Sequence, residues 1–432
     1  MKKNTILLTA IVAAFSAGSI LRAADFETEL RNVESQLAAS KAAPVTGLAG
    51  LQPSPIGNKW WSVDFFGSAH KAIAKAALMF INRNTFPDIQ AATSILRSGS
   101  NDESGHPDPT KNGGDVKALW LGREPFFKGG VMRNYEQFKF QEAYQRLGAL
   151  CHLTQDQAVP THAANIKHGT SDSFEGFPGN DVKLSDARGN DNMEPYEYYQ
   201  AVQDETRGKM PGWTDPATGI PYWIAAPDAP PLGKDATYGP WGHYGGSRNR
   251  DNYASRPQQD NPSEGGNNNN LVSAHPEIRL QQLVVAGDAM INVLQSASRR
   301  LPPLVQDVSV STSSHSLAGK KTTGYMINFN IYENRSPWVV FKAYLYKGDE
   351  LLGIVTQERV TLSKVDQKDI MYSAHYISGW SGSANWGDYT RLPPGDYIID
   401  VRVTDADGNT TPDEVNTDDI PSNDTRVAIT ID

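Results

Sequence analysis

The chain has 432 residues, of which 39% are hydrophobic and 21% charged, proportions that are typical of a globular protein. Its formal net charge of −9 argues against a general nucleic-acid-binding surface, which would need a basic face. The single cysteine, Cys151, excludes a disulfide bond within the chain. This length is sufficient for two domains, each with its own hydrophobic core.

The N-terminus has the pattern of an export signal. Lys2 and Lys3 precede an apolar run at residues 6–17 that is too short to span a bilayer, and small residues follow it. We therefore predict a signal peptide at residues 1–24, a secreted or periplasmic protein, and no transmembrane segment in the mature chain. Residues 25–59 are an N-terminal extension, which could be a docking helix or a propeptide.

Apolar residues recur at helical spacing in three later segments. The first covers residues 66–81 and carries His70 one turn before Ile73. The second, at residues 134–154, has the clearest buried stripe, formed by Phe140, Ala143, Tyr144, Leu147, Leu150, Cys151 and Thr154. The third starts near Pro276 and ends at Arg300, before a pair of prolines.

Histidines and carboxylates are concentrated between residues 152 and 175. His152 and Asp156 are four residues apart, so a helix places them on one face. Pro160 is expected to stop that helix and turn the chain, which lets His162 and His168 approach from a second direction. Imidazole and carboxylate ligands without a thiolate are typical of a catalytic zinc site. The segment therefore predicts a metal-dependent hydrolase.

The hydrophobic pattern changes to a period of two after residue 303, as in Tyr325, Ile327, Phe329 and Ile331. Several such runs are separated by Gly-Asp, Pro-Gly and Asp-Gly turns, which indicates an immunoglobulin-like β-sandwich at residues 303–432. The predicted fold class is multidomain α + β. An all-α metallohydrolase domain at residues 60–302 precedes the β-sandwich.

The motif around His152 resembles that of the bacterial zinc-dependent phospholipase C family, whose fold is shared by single-strand-specific nucleases. The shared features are the His152 to Asp156 to His162 spacing, Pro160 two residues before the second histidine, and Asn165 after it. The resemblance covers roughly residues 60–300 and is strongest at residues 147–177. It implies a helical bundle that binds two or three zinc ions.

Carried over by position, the resemblance implies that His152 and Asp156 bind one zinc ion and that Asp156 also reaches a second. His162 would bind the remaining zinc. The family has a histidine four residues before Glu175, where this chain has Ser171. We expect His168 and Glu175 to act as ligands, with Asp172 as an alternative to His168.

The resemblance also implies ligands from the segment before the motif. His70 corresponds to a histidine near the first helix of the family. Asp102 and His106 in the following loop are the other expected ligands, and Glu103 is an alternative to Asp102. Asp102 would also orient or deprotonate the attacking water, because it is an acceptor near the metal.

The resemblance implies hydrolysis of a phosphate ester at a multi-zinc cluster, with phospholipid head groups as the expected substrates. A third zinc ion would need Trp60 or Trp61 as a processed N-terminus. One alternative is a nuclease or phosphatase of the same fold. Another alternative is a non-catalytic surface-binding protein with a structural zinc site. For the enzyme and for the binding protein alike, the β-sandwich could dock the protein to a surface or membrane interface.

Overall fold

The computed structural model describes residues 69–101, 116–122, 129–164, 184, 193–214, 219, 221–224, 243–244, 276–317, 320–364, 378–386, 393–411 and 425–431. Trp60–Asp432 forms one compact unit. The predicted signal peptide and the predicted extension at residues 25–59 lie outside the described residues. The chain is a mixed α + β protein with its large sheets in the C-terminal part, which confirms the predicted class at this level.

Helices make up the described N-terminal part. They are α1 (Ala69–Phe80), α2 (Pro87–Ala91), α3 (Thr93–Gly99), α4 (Val116–Leu121), α5 (Gly130–Glu136), α6 (Phe140–Asp156), α7 (Pro160–Ala163), α8 (Glu197–Lys209) and α9 (Pro276–Arg300). The predicted helix from Pro276 to Arg300 is confirmed. The helix predicted at residues 66–81 is confirmed from Ala69 to Phe80, and residues 66–68 lie outside the described part of the chain. All seven residues of the predicted stripe on α6 are buried.

The single helix predicted at residues 134–154 is wrong at its start, because residues 137–139 are not helical and separate α5 from α6. Phe138 in this break has a φ of 60°, in the left-handed region. Its ring packs edge-on against Phe140 and against Tyr332, which lies in the C-terminal part of the chain that forms the large sheets. Pro160 also differs from expectation. Helix α6 has already ended at Asp156, and Pro160 begins the short helix α7, where its missing N–H is not needed.

Helices α3 and α6 touch through their backbones. A Cβ atom added to Gly148 would lie 2.6 Å from the Leu96 carbonyl oxygen and 2.9 Å from the Gly99 Cα, so only glycine fits there without displacement. The contact brings the end of α3 beside the last turns of α6. Ser100, the residue after α3, is therefore held next to His152.

Ten strands are present among the described residues. Two short ones, β1 (Trp223–Ile224) and β2 (His243–Tyr244), pair with each other. The others are β3 (Leu304–Leu317), β4 (Lys320–Glu333), β5 (Trp338–Lys347), β6 (Glu350–Thr361), β7 (Ser363–Lys364), β8 (Ser378–Trp386), β9 (Gly395–Thr404) and β10 (Arg426–Ile431). They form two antiparallel sheets in the orders β10-β9-β5-β6 and β3-β4-β8-β7. Buried side chains of both sheets, including Phe329 and Phe341, share one hydrophobic core.

A buried carboxylate joins the helices to the strand-rich part. Asp88 on α2 accepts hydrogen bonds from the Tyr144 hydroxyl at 2.8 Å, the Ser298 hydroxyl at 2.8 Å and the Asn334 side-chain amide at 3.0 Å. Burial raises the pKa of Asp88 although these donors favour the ionised form. Because Asn334 follows β4, this network ties α2, α6 and α9 to the sheets.

Within the described ranges, none of the helices combines the length and the apolar character needed to cross a bilayer.

Cys151 is fully buried on α6, and burial raises the pKa of its thiol. A buried, protonated thiol is a small core residue and a poor nucleophile.

Candidate metal centre

Three predicted ligands meet where the first turn of α1 faces the last turn of α6. His70 is the second residue of α1, and His152 and Asp156 occupy successive turns at the end of α6. One potential ligand atom from each side chain lies within 4.8 Å of those of the other two. The helical spacing of four residues explains the pair on α6, whereas the packing of α1 brings in His70.

The two imidazoles direct the same ring nitrogen at the same carboxylate. His70 Nε2 lies 3.2 Å from Asp156 Oδ1, and His152 Nε2 lies 3.5 Å from Asp156 Oδ2. The rings are stacked, with their centroids 4.0 Å apart and an angle of 29° between their planes. Each histidine therefore faces a different oxygen of the Asp156 carboxylate.

The other nitrogen of each ring is held by an oxygen acceptor. His70 Nδ1 lies 2.8 Å from the Gln155 side-chain carbonyl oxygen, and His152 Nδ1 lies 3.0 Å from the Ser100 backbone carbonyl oxygen. A carbonyl oxygen only accepts, so both Nδ1 atoms donate a proton. A neutral imidazole then has its lone pair on Nε2, facing the carboxylate. This is the arrangement that supports a histidine as a metal ligand.

Solvent can reach part of this group. The His70 and Asp156 side chains are 18% and 17% exposed, whereas His152 is only 5% exposed. The group thus lies at the edge of the helical core, with His152 buried and with His70 and Asp156 partly exposed to solvent. An ion bound there would keep access to a water molecule or a substrate oxygen.

The electrostatic environment keeps Asp156 ionised. Burial alone would raise its pKa, but His152, His162 and His70 outweigh burial when they are protonated and then hold the pKa well below its usual value. The carboxylate is therefore available as an anionic ligand at neutral pH. His162, on α7, contributes to this field but does not belong to the described three-residue group within 4.8 Å.

The remaining predicted ligands fall outside the part of the chain that the structure describes. These residues are Asp102, His106, His168 and Glu175, together with the alternatives Glu103 and Asp172 and the tryptophans Trp60 and Trp61. Their roles remain predictions. The described portion of the site therefore contains His70, His152 and Asp156, with His162 close by.

Two residues that hold the histidines were missed by the sequence analysis. Gln155 lies four residues after Cys151, so a polar side chain on the buried side of α6 was the available signal. Ser100 gave no such signal, because its contribution to His152 is a backbone carbonyl 52 positions away. In the described residues, the two oxygen acceptors are a side-chain amide and a backbone carbonyl.

Two imidazole nitrogens and one carboxylate fit the ligand preference of zinc. No family model, curated protein or solved structure matches this chain. The functional interpretation therefore depends on the residues and geometry of the site itself.

Proposed function

We propose that this chain is an exported zinc-dependent hydrolase of phosphate esters, and that phospholipid head groups are its substrate class. One observation supports this most: His70 Nε2, His152 Nε2 and the Asp156 carboxylate converge within 4.8 Å while both Nδ1 atoms donate to oxygen acceptors. Lone pairs directed at a carboxylate repel it unless a proton or a cation lies between them. A divalent cation meets that requirement for both histidines at once.

The ligand chemistry favours zinc over other common cations. Calcium and magnesium prefer an all-oxygen environment, whereas two of the three donors here are imidazole nitrogens. Zinc, when bound, acts as a Lewis acid toward a phosphate oxygen and activates water at neutral pH. We assign His70, His152 and Asp156 to one ion, and Asp156 is suited to reach a second ion because it offers two oxygens.

The other ligands of the proposed cluster are His162, His168 and Glu175, with Asp102 and His106 from the preceding loop. Asp102 would orient or deprotonate the attacking water. Ser100 and Gln155 hold the Nδ1 protons of the two histidines and so keep Nε2 free for the ion. The two C-terminal sheets with a shared core are compatible with an immunoglobulin-like β-sandwich, and we propose that this part docks the enzyme to a surface or membrane interface.

Metal content and turnover test the proposal together. The purified protein is analysed for bound metals and assayed on phosphatidylcholine vesicles, single-stranded DNA and bis(p-nitrophenyl) phosphate, before and after chelation. We expect about two or three zinc ions per chain, and turnover that chelation abolishes and added zinc restores. Phosphatidylcholine should be the best of the three substrates.

Each other outcome has a defined meaning. A protein without any bound transition metal rules out the metallohydrolase. Zinc without turnover on any of the three substrates rules out the enzyme and favours a surface-binding protein with a structural zinc site. Turnover confined to single-stranded DNA or to the small diester rules out the phospholipase and favours the nuclease or phosphatase.

A further inference from the structure

The Gln155 side chain connects the two histidines of the candidate metal centre. It is buried on α6, directly before Asp156 in the chain. Its carbonyl oxygen accepts from His70 Nδ1 at 2.8 Å, and its amide nitrogen lies 3.2 Å from the Ser100 hydroxyl and 3.0 Å from the Met290 sulfur. All of its polar atoms are therefore engaged by α1, by the residue after α3, and by α9.

These partners fix the orientation of the amide. The Ser100 hydroxyl oxygen and the Met290 sulfur can each accept a hydrogen bond, so they select the orientation in which the Gln155 nitrogen faces them. The carbonyl oxygen then faces His70. Because that oxygen cannot donate, the proton of a neutral His70 must be on Nδ1, and the Nε2 lone pair points toward Asp156, 3.2 Å away.

Ser100 extends this link to the second histidine. Its hydroxyl accepts from Gln155, and its backbone carbonyl accepts from His152 Nδ1 at 3.0 Å. A continuous path of hydrogen bonds thus runs from one imidazole through Gln155 and Ser100 to the other. The two stacked rings, 4.0 Å apart, are both positioned by this path.

We infer that Gln155 is a positioning residue that selects the tautomer of His70 and, through Ser100, sets the spacing of the two histidine ligands. This inference rests on the proposed function for its consequence, which is tighter zinc binding. An oriented imidazole with its proton held on Nδ1 loses less freedom when Nε2 binds a metal. Gln155 need not touch the metal or the substrate.

Three variants separate positioning from simple packing. Gln155→Leu keeps most of the buried volume but removes the acceptor for His70, whereas Gln155→Glu keeps an acceptor there. Gln203→Leu is the matched control, because Gln203 is also buried and donates to the Gln157 side chain at 3.0 Å, in a contact that does not involve either histidine. Ser100→Ala provides a milder change that removes only the hydroxyl acceptor of the Gln155 amide.

Zinc affinity, measured by competition with a chromogenic chelator, is the first readout. We expect Gln155→Leu to weaken binding by about 10- to 100-fold and Ser100→Ala by a smaller factor. Gln155→Glu should restore affinity to near the native value, and Gln203→Leu should leave it unchanged. Equal zinc affinity in the native protein and in Gln155→Leu, or equal losses in Gln155→Leu and Gln203→Leu, would overturn the inference.

The second readout does not depend on zinc. Nitrogen-15 NMR of the histidine rings in metal-free protein at about pH 8 reports which ring nitrogen carries the proton. We expect the Nδ1–H tautomer for His70 in the native protein and a shift toward the Nε2–H tautomer in Gln155→Leu. A native Nε2–H tautomer contradicts the inference even if the protein binds no zinc. Normal zinc binding with an unchanged tautomer in Gln155→Leu contradicts it while the proposed function stands.

Discussion

The Ser100 backbone carbonyl accepts a hydrogen bond from His152 Nδ1 at 3.0 Å, although the two residues are 52 positions apart. Carbonyl groups at the end of a helix lack a partner within that helix, and Ser100 directly follows α3. His152 supplies the missing donor. One contact therefore satisfies the end of α3 and fixes the ring orientation of a candidate zinc ligand.

Gly148→Ala tests whether the close approach of α3 and α6 positions this carbonyl. The added Cβ would lie 2.6 Å from the Leu96 carbonyl oxygen, so α3 must move away from α6. We expect the free energy of unfolding to fall by about 1–3 kcal/mol, as for overpacked cores. Zinc affinity should fall as well, because Ser100 moves with α3. Denaturant unfolding and chelator competition measure the two effects.

Gly208→Ala is the matched control on α8, where an added Cβ has no atom within 4 Å. Alanine is favoured over glycine within a helix, so this variant should be stabilised by up to about 1 kcal/mol with unchanged zinc affinity. If Gly148→Ala behaves in the same way as Gly208→Ala, the helix contact does not position Ser100.

Asp156→Asn tests the carboxylate between the two histidines. The substitution removes an anionic ligand that faces His70 at 3.2 Å and His152 at 3.5 Å. We expect loss of bound zinc and, because zinc bound to the native state stabilises folding, a lower thermal midpoint than the native protein in zinc-containing buffer. Metal analysis and thermal unfolding with and without added zinc are the measurements.

The exposed carboxylate of Asp204 on α8 provides the control through Asp204→Asn, which should change neither zinc content nor stability appreciably. An Asp156→Asn protein with the native zinc content would contradict a bridging role for Asp156.

Tyr144→Phe tests the network that joins the helices to the sheets. The Tyr144 hydroxyl donates to buried Asp88 at 2.8 Å, so its removal leaves one carboxylate oxygen with fewer donors. We expect a loss of about 1.5–3 kcal/mol in the free energy of unfolding. Unfolding should remain a single transition by tryptophan fluorescence and by circular dichroism, because Ser298 and Asn334 still hold Asp88.

A second buried tyrosine serves as the comparison. Among the described residues, the Tyr135 hydroxyl has no hydrogen-bond partner, so Tyr135→Phe should be neutral or slightly stabilising. Equal losses in Tyr135→Phe and Tyr144→Phe would show that the bond to Asp88 contributes nothing specific.

Glu333→Gln tests a buried acid at the end of β4. Glu333 accepts from the backbone N–H groups of Arg335 and Ser336, while burial and the nearby Asp405 raise its pKa to about 8. Between the ordinary pKa of 4.5 and a pH of about 8, the native state retains a proton that the unfolded state has released. Native stability should therefore fall as pH rises through this window, by at most about 1.4 kcal/mol per unit.

Glutamine keeps the carbonyl acceptor and removes the ionisation, so the thermal midpoint of Glu333→Gln should depend less on pH between about 5 and 8. Glu205→Gln, at an exposed site on α8, should follow the native curve. Parallel curves for all three proteins would show that Glu333 ionises equally in the folded and unfolded states.

The sequence was sufficient for those features that depend on neighbours along the chain. The buried stripe of α6, the juxtaposition of His152 and Asp156, and the strand β4 all follow from regular spacing. The break at Phe138 was missed, because its packing against Tyr332 involves a residue of a distant strand.

By itself, the sequence determined that His152 and Asp156 share one helix face, since backbone geometry fixes the direction of side chains four residues apart. Only the tertiary structure decided that His70 faces that pair and that Gln155 and Ser100 hold the two imidazoles. Those contacts depend on how α1, α3 and α6 pack. Hydrogen-bond partners that are 52 and 85 residues apart leave no periodic signal in the chain.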